Sequence, residues 1–324
     1  MKRSREQCSR SHFFMSVRRW FDEEAGAEQL AERSPEKVDW LRVIPFVSLH
    51  LACVLVFWVG WSPVAVGTAV VLYVVRMLAI TGVYHRYFSH RAYQTSRFWQ
   101  FVGALIGATS AQRGPLWWAS HHRHHHRFAD QPDDIHSPIQ RGFLWSHVLW
   151  ILTPKNFATR KQFVKDWSRF PELVFLNRFD ILPPLVLLVV LLITGWLLGL
   201  YAPSLGTSAL QMAVWGFAIS TVVLFHATAT INSLDHLIGR RRYNTPDHSR
   251  NNWFLALITL GEGWHNNHHH YPIAARQGFF WWEIDVTYYV LVLFSWFGIV
   301  RNLAPLSPEK RDSNRIDNAA AVPR

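Results

Sequence analysis

Histidine accounts for 18 of the 324 residues, and most of them fall in four short segments. These are His85-Arg86-Tyr87-Phe88-Ser89-His90, His121-His122-Arg123-His124-His125-His126, Asn232-Ser233-Leu234-Asp235-His236 and Gly261-Glu262-Gly263-Trp264-His265-Asn266-Asn267-His268-His269-His270. Imidazole is the commonest protein ligand for metal and suits Fe, Zn and Cu. Residues at i, i+3 and i+4 share a helix face, so His122/His125/His126 and His265/His268/His269 can each aim three rings at a common centre. His121/His124/His125 meets the same spacing, and spacing alone does not choose between the two registers. His85 and His90 differ by about 140° on an ideal helix; either they reach two different ions or the helix ends between them. These eight histidines with His236 exceed what one ion takes, so two ions is the economical reading. The scattered His12, His50, His147, His226 and His248 are read as structural. The two cysteines, Cys8 and Cys53, exclude a disulfide framework and a cysteine-based zinc site.

The elements that must position these rings are apolar. Half of the chain is hydrophobic and only 17% is charged, below the roughly 25% of a soluble domain. Four runs, at about 43–61, 63–83, 181–200 and 209–231, each reach the ~20 residues that cross a bilayer as a helix. Two shorter runs, 98–111 and 286–300, are predicted to be re-entrant, interfacial or buried helices. The net charge of +11 is blocked: Lys and Arg concentrate in 1–42, 84–180 and 231–324, while the links at 62 and 201–208 carry none. The positive-inside rule then puts both termini and the 84–180 loop in the cytoplasm. All four histidine segments share that side. The basicity is therefore an orientation signal with affinity for anionic lipid headgroups, and nucleic-acid binding is excluded as the reading. Arg76, inside the second run, should face protein or a water-filled cavity, as an internal ion pair. Residues 1–40 are read as a cytosolic tail with an interfacial stretch, 41–304 as one membrane domain with a cap made of 84–180 and 232–304, and 305–324 as a disordered tail.

The text HRYFSHR at 85–91, HRHHH at 122–126, NSLDH at 232–236 and GEGWHNNHH at 261–269 resembles the membrane fatty-acyl desaturases of the stearoyl-CoA delta-9 type, over roughly residues 40–300. The resemblance implies an all-α integral membrane protein, with four transmembrane helices carrying a cytosolic helical cap. That cap would hold a histidine-rich di-iron centre beside an acyl tunnel. It selects the register His122, His125, His126 and, with it, the iron ligands His85, His90, His122, His125, His126, His236, His265, His268 and His269. Asn232 would support an iron-bound water, and His121, His124 and His270 would be extra. The implied activity uses two Fe ions and O2 to place a cis double bond, delta-9, in a saturated long-chain acyl group, as acyl-CoA. An unactivated methylene needs a strong oxidant, which makes zinc a poor fit. Alternatives are an acyl-lipid (phospholipid) desaturase, a membrane di-iron alkane or lipid hydroxylase and, remotely, a metal-ion transporter.

Glu262 and His136 are expected to steady ligand histidines from behind. No HPGG haem text and no G-x-G-x-x-G fingerprint occurs, so electrons would come from a separate ferredoxin, rubredoxin-like protein or cytochrome with its reductase, docked on the basic face. The source reads weakly as bacterial, which would place the chain in the inner membrane. An acyl-CoA substrate needs cations for its phosphates. Where animal acyl-CoA members of the family carry Arg-Asp and Arg-Lys, this chain has Ser120-His121 and Pro154-Lys155. Lys155 survives, and Arg240, Arg241 and Arg242 could replace the rest; the same run also reads as an anchor to anionic lipid.

Overall fold

The computed structural model describes residues 17–18, 20–25 and 38–316. Most of the N-terminal tail and residues 317–324 lie outside the described residues. Among the described residues three helices are long and apolar enough to cross a membrane: α2 (Pro63–Ser89), α5 (Leu182–Tyr201) and α6 (Ala209–His236). The first apolar run yields a shorter helix, α1 (Val43–Val59). It tightens to a 3₁₀ turn at Cys53–Leu55 and stops at Gly60, whose φ of 66° breaks the helix. Four full-length spans were expected; by length there are three, with α1 at the lower limit.

α2 starts where Pro63 follows Ser62, whose hydroxyl accepts from the Ala65 N–H at 3.1 Å. This is a capped start with proline where no N–H is needed. The helix continues past residue 83 to Ser89, carrying the first histidine segment on its end. Arg76 is buried within it. Its guanidinium donates to Thr221 Oγ1 (2.7 Å), Ser220 Oγ (2.5 Å) and the Thr109 carbonyl (3.2 Å), and its Nε to the Leu72 carbonyl (3.1 Å). The ion pair expected for it is replaced by hydroxyls and carbonyls, which tie α2 to α6.

α3 (Arg97–Ala108) and α4 (Pro115–Phe128) pack on the far end of α2. Ile80, Tyr84, Phe88, Leu116, Ala119 and Leu173 form a buried core there. Full burial of side chains such as Phe88 is worth about 1.5–3 kcal/mol each, so this core fixes the end of α2 that bears the histidines. The connection after α2 is stapled by two residues, Gln94–Thr95, paired antiparallel with Val300–Arg301 beyond α8 (Val286–Trp296). Residues 305–316, expected to be disordered, contain the helix Pro308–Asp312. Tyr243 Oη donates to the Arg311 carbonyl (2.6 Å) and the Ile316 N–H to the Arg242 carbonyl (2.9 Å), docking this stretch beside the last histidine segment.

Candidate metal centre

The geometry begins with a change of helix pitch. From Ala79 to Ser89, α2 is π-wound; the His90 N–H reaches the His85 carbonyl at 3.2 Å and Ser89 Oγ the Tyr84 carbonyl at 2.8 Å, both i→i−5. A turn of this width brings residues five apart onto one face. His85 and His90, which an ideal α-helix would splay, face the same way.

The nine histidines collect into two groups. In the first, ring nitrogens of His85, His90, His122, His126 and His268 lie within 4.8 Å of one another; in the second, those of His125, His236, His265 and His269 do. Each spaced triplet is therefore divided. α4 sends His122 and His126 to the first group and His125 to the second. α7 (His265–His270) sends His265 and His269 to the second and His268 to the first. The expectation that a triplet serves one centre does not hold: its i and i+4 members stay together and its i+3 member turns to the other. His121 and His124 take part in neither group. His121 Nδ1 lies 2.9 Å from the Trp117 carbonyl, His124 packs on Phe128 and Phe163, and His270 stacks on Tyr243 at 4.0 Å.

The ring nitrogens fit an ion. Nε2–Nε2 separations are 3.0 Å for His85–His268, 2.8 Å for His90–His122, 2.9 Å for His126–His268 and 3.1 Å for His236–His265. With bonds of about 2.1 Å to imidazole, ligands at right angles sit about 3.0 Å apart and tetrahedral ones about 3.4 Å. Each of these pairs is close enough for both nitrogens to reach one ion. Nε2 of His125 and of His269 is buried without a hydrogen-bond partner, which is costly unless something completes it. Burial, followed by neighbouring charged groups, holds His122, His126, His265 and His268 well below the ordinary histidine range. Neutral imidazole is the form that binds metal.

Carboxylates steady the rings from behind. His125 Nδ1 is 2.9 Å from Asp134, His236 Nδ1 is 2.8 Å from Asp130 and His269 Nδ1 is 2.9 Å from Asp247. Burial pushes these three carboxyls up, but the facing imidazoles and further hydrogen bonds outweigh it and hold them below the usual range. In the first group Glu262 takes this position against His85 Nδ1. Glu262 is itself held by Arg86 (3.1 Å), whose guanidinium also grips Asp285 at 2.9 and 3.1 Å, and by Gln277 (3.2 Å). Gly261, with φ of 127°, lets Asp285 come close; a Cβ there would stand 2.4 Å from Asp285 Oδ1. His136 stacks on His125 at 4.3 Å, and its backbone N–H donates to Asp134 (3.2 Å). Sequence reasoning missed Asp130, Asp134, Asp247 and Arg86. Asp130 and Asp134, four apart and just beyond the second histidine segment, carried a legible signal; Asp247 sits in a loop and carried none.

Two cavities meet at this site. The larger, about 620 Å³, runs past Trp117, His121, His122 and Asn232 and down between α1, α5 and α6 to Leu55 and Leu210. The smaller, about 30 Å³, lies under both groups and is bounded by Met77, Ile80, Thr81 and Ile231. Trp118, His122, Thr228 and Asn232 line both. Asn232 thus stands at the junction, its carbonyl accepting from Ser146 Oγ at 2.8 Å. The Gln112 amide donates to Thr228 Oγ1 (3.1 Å) across the path.

The four cations considered for phosphate binding are dispersed. Arg242 pairs with Glu283, donates to Asn267 Oδ1 (3.1 Å) and covers the Phe280 ring. Through Asn267 it braces α7. Arg241 donates to the Thr245 carbonyl (2.7 Å). Arg240 and Lys155 are exposed, and none of the four lines either cavity.

A family model described as fatty acid desaturase matches residues 59–292. The chain is similar to an sn-2 palmitoyl-lipid 9-desaturase of Nostoc sp. (strain 36), at 34% identity covering 83% of this chain and 92% of that one. It is also similar to a chloroplastic palmitoyl-monogalactosyldiacylglycerol delta-7 desaturase of Arabidopsis thaliana (35%, covering 84% and 70%). An acyl-CoA 5-desaturase of Anemone leveillei matches at 34%, covering 85% and 86%.

Proposed function

The chain belongs to the fatty acid desaturase family, and we propose that it converts a saturated long-chain acyl group of a membrane glycerolipid to the cis-9 alkene, using O2 and two irons. The observation that carries this reading is the pair of imidazole groups opening on one cavity junction. His85, His90, His122, His126 and His268 would hold one redox-active iron and His125, His236, His265 and His269 a second; the pair would activate O2, the oxidant that an unactivated methylene requires. The protein's own residues position and exclude. Trp118, stacked on His122 at 5.1 Å, and Thr228 present the acyl chain at the junction. Met77 and Ile80 bound the smaller cavity beyond it. Asn232 orients a water between the chain and the metal groups, and Glu262 and the three aspartates fix the ring tautomers.

The carrier assignment rests on the cations. Thioester phosphates would need Arg or Lys at the cavity mouth; of the cations weighed for them, Arg241 and Arg242 are committed to internal bonds and Lys155 lies off the cavity wall, while Arg113, which does line the larger cavity, is paired with Glu23. Acyl-CoA is the second reading, favoured by the exposure of Lys155 and Arg240 and the Anemone relative. The blocked basic residues support a topology with both termini and the metal groups on the cytoplasmic side, where a separate ferredoxin-like or cytochrome donor would dock. Expression in a desaturase-deficient host, with gas chromatography–mass spectrometry of its lipids, tests the activity. A new cis-9 monoene in membrane lipid supports it. A hydroxylated acyl chain without alkene, or no product from iron-loaded enzyme, overturns it. Purified enzyme offered palmitoyl-CoA against the same chain in phospholipid separates the two carriers.

A further inference from the structure

Arg113 is placed where a cation is unfavourable three times over. It sits at the start of α4, the positive end of the helix dipole. Its φ is 73°, in the left-handed region a side chain avoids. Its side chain is only 20% exposed, and its Nε is buried without a hydrogen bond. The guanidinium lies over Trp117 at 5.0 Å and Phe157 at 5.7 Å, donates to the Phe157 carbonyl (2.7 Å) and lines the larger cavity beside Trp20, Glu23 and Asp180. Asp180 Oδ2 stands 3.7 Å from Nε. The remaining partner is Glu23, delivered by residues 20–25. That arm has its own anchor: Arg178 donates to Asp22 at 3.0 and 2.9 Å, and the Glu23 N–H to the Arg178 carbonyl at 2.9 Å. The Glu23 carboxylate is therefore an anion brought to Arg113 by a tether that does not depend on Arg113.

We propose that Arg113 binds the phosphodiester of a glycerophospholipid substrate, and that Glu23 occupies this place as a built-in competitor until the lipid displaces it. The inference rests on the membrane-lipid reading above and deepens it. The spacing agrees with the chemistry. From Pro115, the first residue of α4, to His122 is seven helical rises, or about 10 Å, and Arg113 stands just before that start. About thirteen bonds separate phosphorus from C9 of the acyl chain; at roughly 3.4 Å per three bonds they reach about 15 Å, enough to cover this span. The phosphates of a CoA thioester lie much farther from C9 and would overshoot Arg113.

The test uses full-length, iron-loaded enzyme with a ferredoxin or cytochrome reductant system. The substrates are vesicles of dipalmitoylphosphatidylglycerol, vesicles of monogalactosyldiacylglycerol bearing the same acyl chains, and palmitoyl-CoA. Equilibrium binding of each is measured separately from turnover. Arg113→Gln should raise apparent KM and Kd for the phosphatidylglycerol about tenfold, the scale of one charge-assisted hydrogen bond, with kcat within about twofold. The penalty on the neutral galactolipid should be several-fold smaller. Arg113→Lys, a milder change, should fall between. Glu23→Gln should act in the opposite direction and lower the phosphatidylglycerol KM, because it removes the competitor. If both substitutions raise KM, or both lipids respond alike, the pair is a structural clamp and the proposal fails while the membrane-lipid reading stands. If the wild type turns over and binds only palmitoyl-CoA, the membrane-lipid reading fails with it.

Discussion

The two histidine groups share α4 and α7, draw further rings from the end of α2 in one case and of α6 in the other, and are supported differently. In the four-membered group, three rings each rest their Nδ1 on an aspartate: His125 on Asp134, His236 on Asp130 and His269 on Asp247. In the five-membered group one carboxylate, Glu262, serves His85 and is locked into the Arg86–Asp285 ion pair, while the Gln277 amide lies 3.4 Å from His268 Nδ1. The lesson is a division of labour. The four-membered group has one imidazole fewer and three aspartates behind it, which make its rings more basic. The five-membered group has more rings and one rigid strut.

The most drastic way to break this comparison is to take one ring from each group. His125→Ala and His268→Ala should both abolish measurable turnover and lower iron from two per chain, read by gas chromatography and by elemental analysis. His124→Ala and His270→Ala, beside them in sequence but outside both groups, should stay within about threefold of wild type, as changes away from such features do. Removing the strut comes next. Arg86→Ala leaves Asp285 and Glu262 buried and uncompensated, and should cost about 3–5 kcal/mol of stability, seen as a large fall in Tm for metal-free protein. Third, Asp134→Asn and Asp247→Asn should weaken iron binding about 10–100-fold in the four-membered group alone. Glu262→Gln should weaken the other group, so competition with a chelator that resolves the two irons should show opposite patterns. Equal loss from both groups in every variant would erase the distinction. The smallest effect is expected at Asn232. Asn232→Ala should reduce turnover about tenfold, at the low end of a lost positioning contact, with iron content nearly intact. Matching losses would make Asn232 a direct ligand.

Much of the fold was legible as apolar runs, because a bilayer-crossing helix writes its length directly into hydropathy. α1 comes out a little shorter than its run because Gly60, at φ of 66°, ends it, and hydropathy does not register a glycine's backbone angle. The histidines announced a metal site, but not how it is shared. Spacing fixes which face of α4 His122, His125 and His126 occupy; which neighbour each faces depends on how α7 crosses it, a tertiary fact. The same holds for His85 and His90, whose alignment needs a π-wound turn that no residue type signals. Arg76 was flagged by cost, whereas its partners Ser220, Thr221 and the Thr109 carbonyl lie far away in sequence.

The crosswise sharing of each triplet has a thermodynamic consequence. α4 and α7 each present rings to both groups, so an ion that settles in one group orders the two helices that also form the other. Much of the ordering entropy of the second site is then already spent. Linkage makes the effect mutual. Iron uptake should accordingly be sigmoidal, with the singly loaded chain a scarce species and hybrids of two different metals hard to prepare by stepwise addition. On withdrawal of metal from the unsubstituted chain the two ions should leave together, and a substitution that weakens one group is what would separate them.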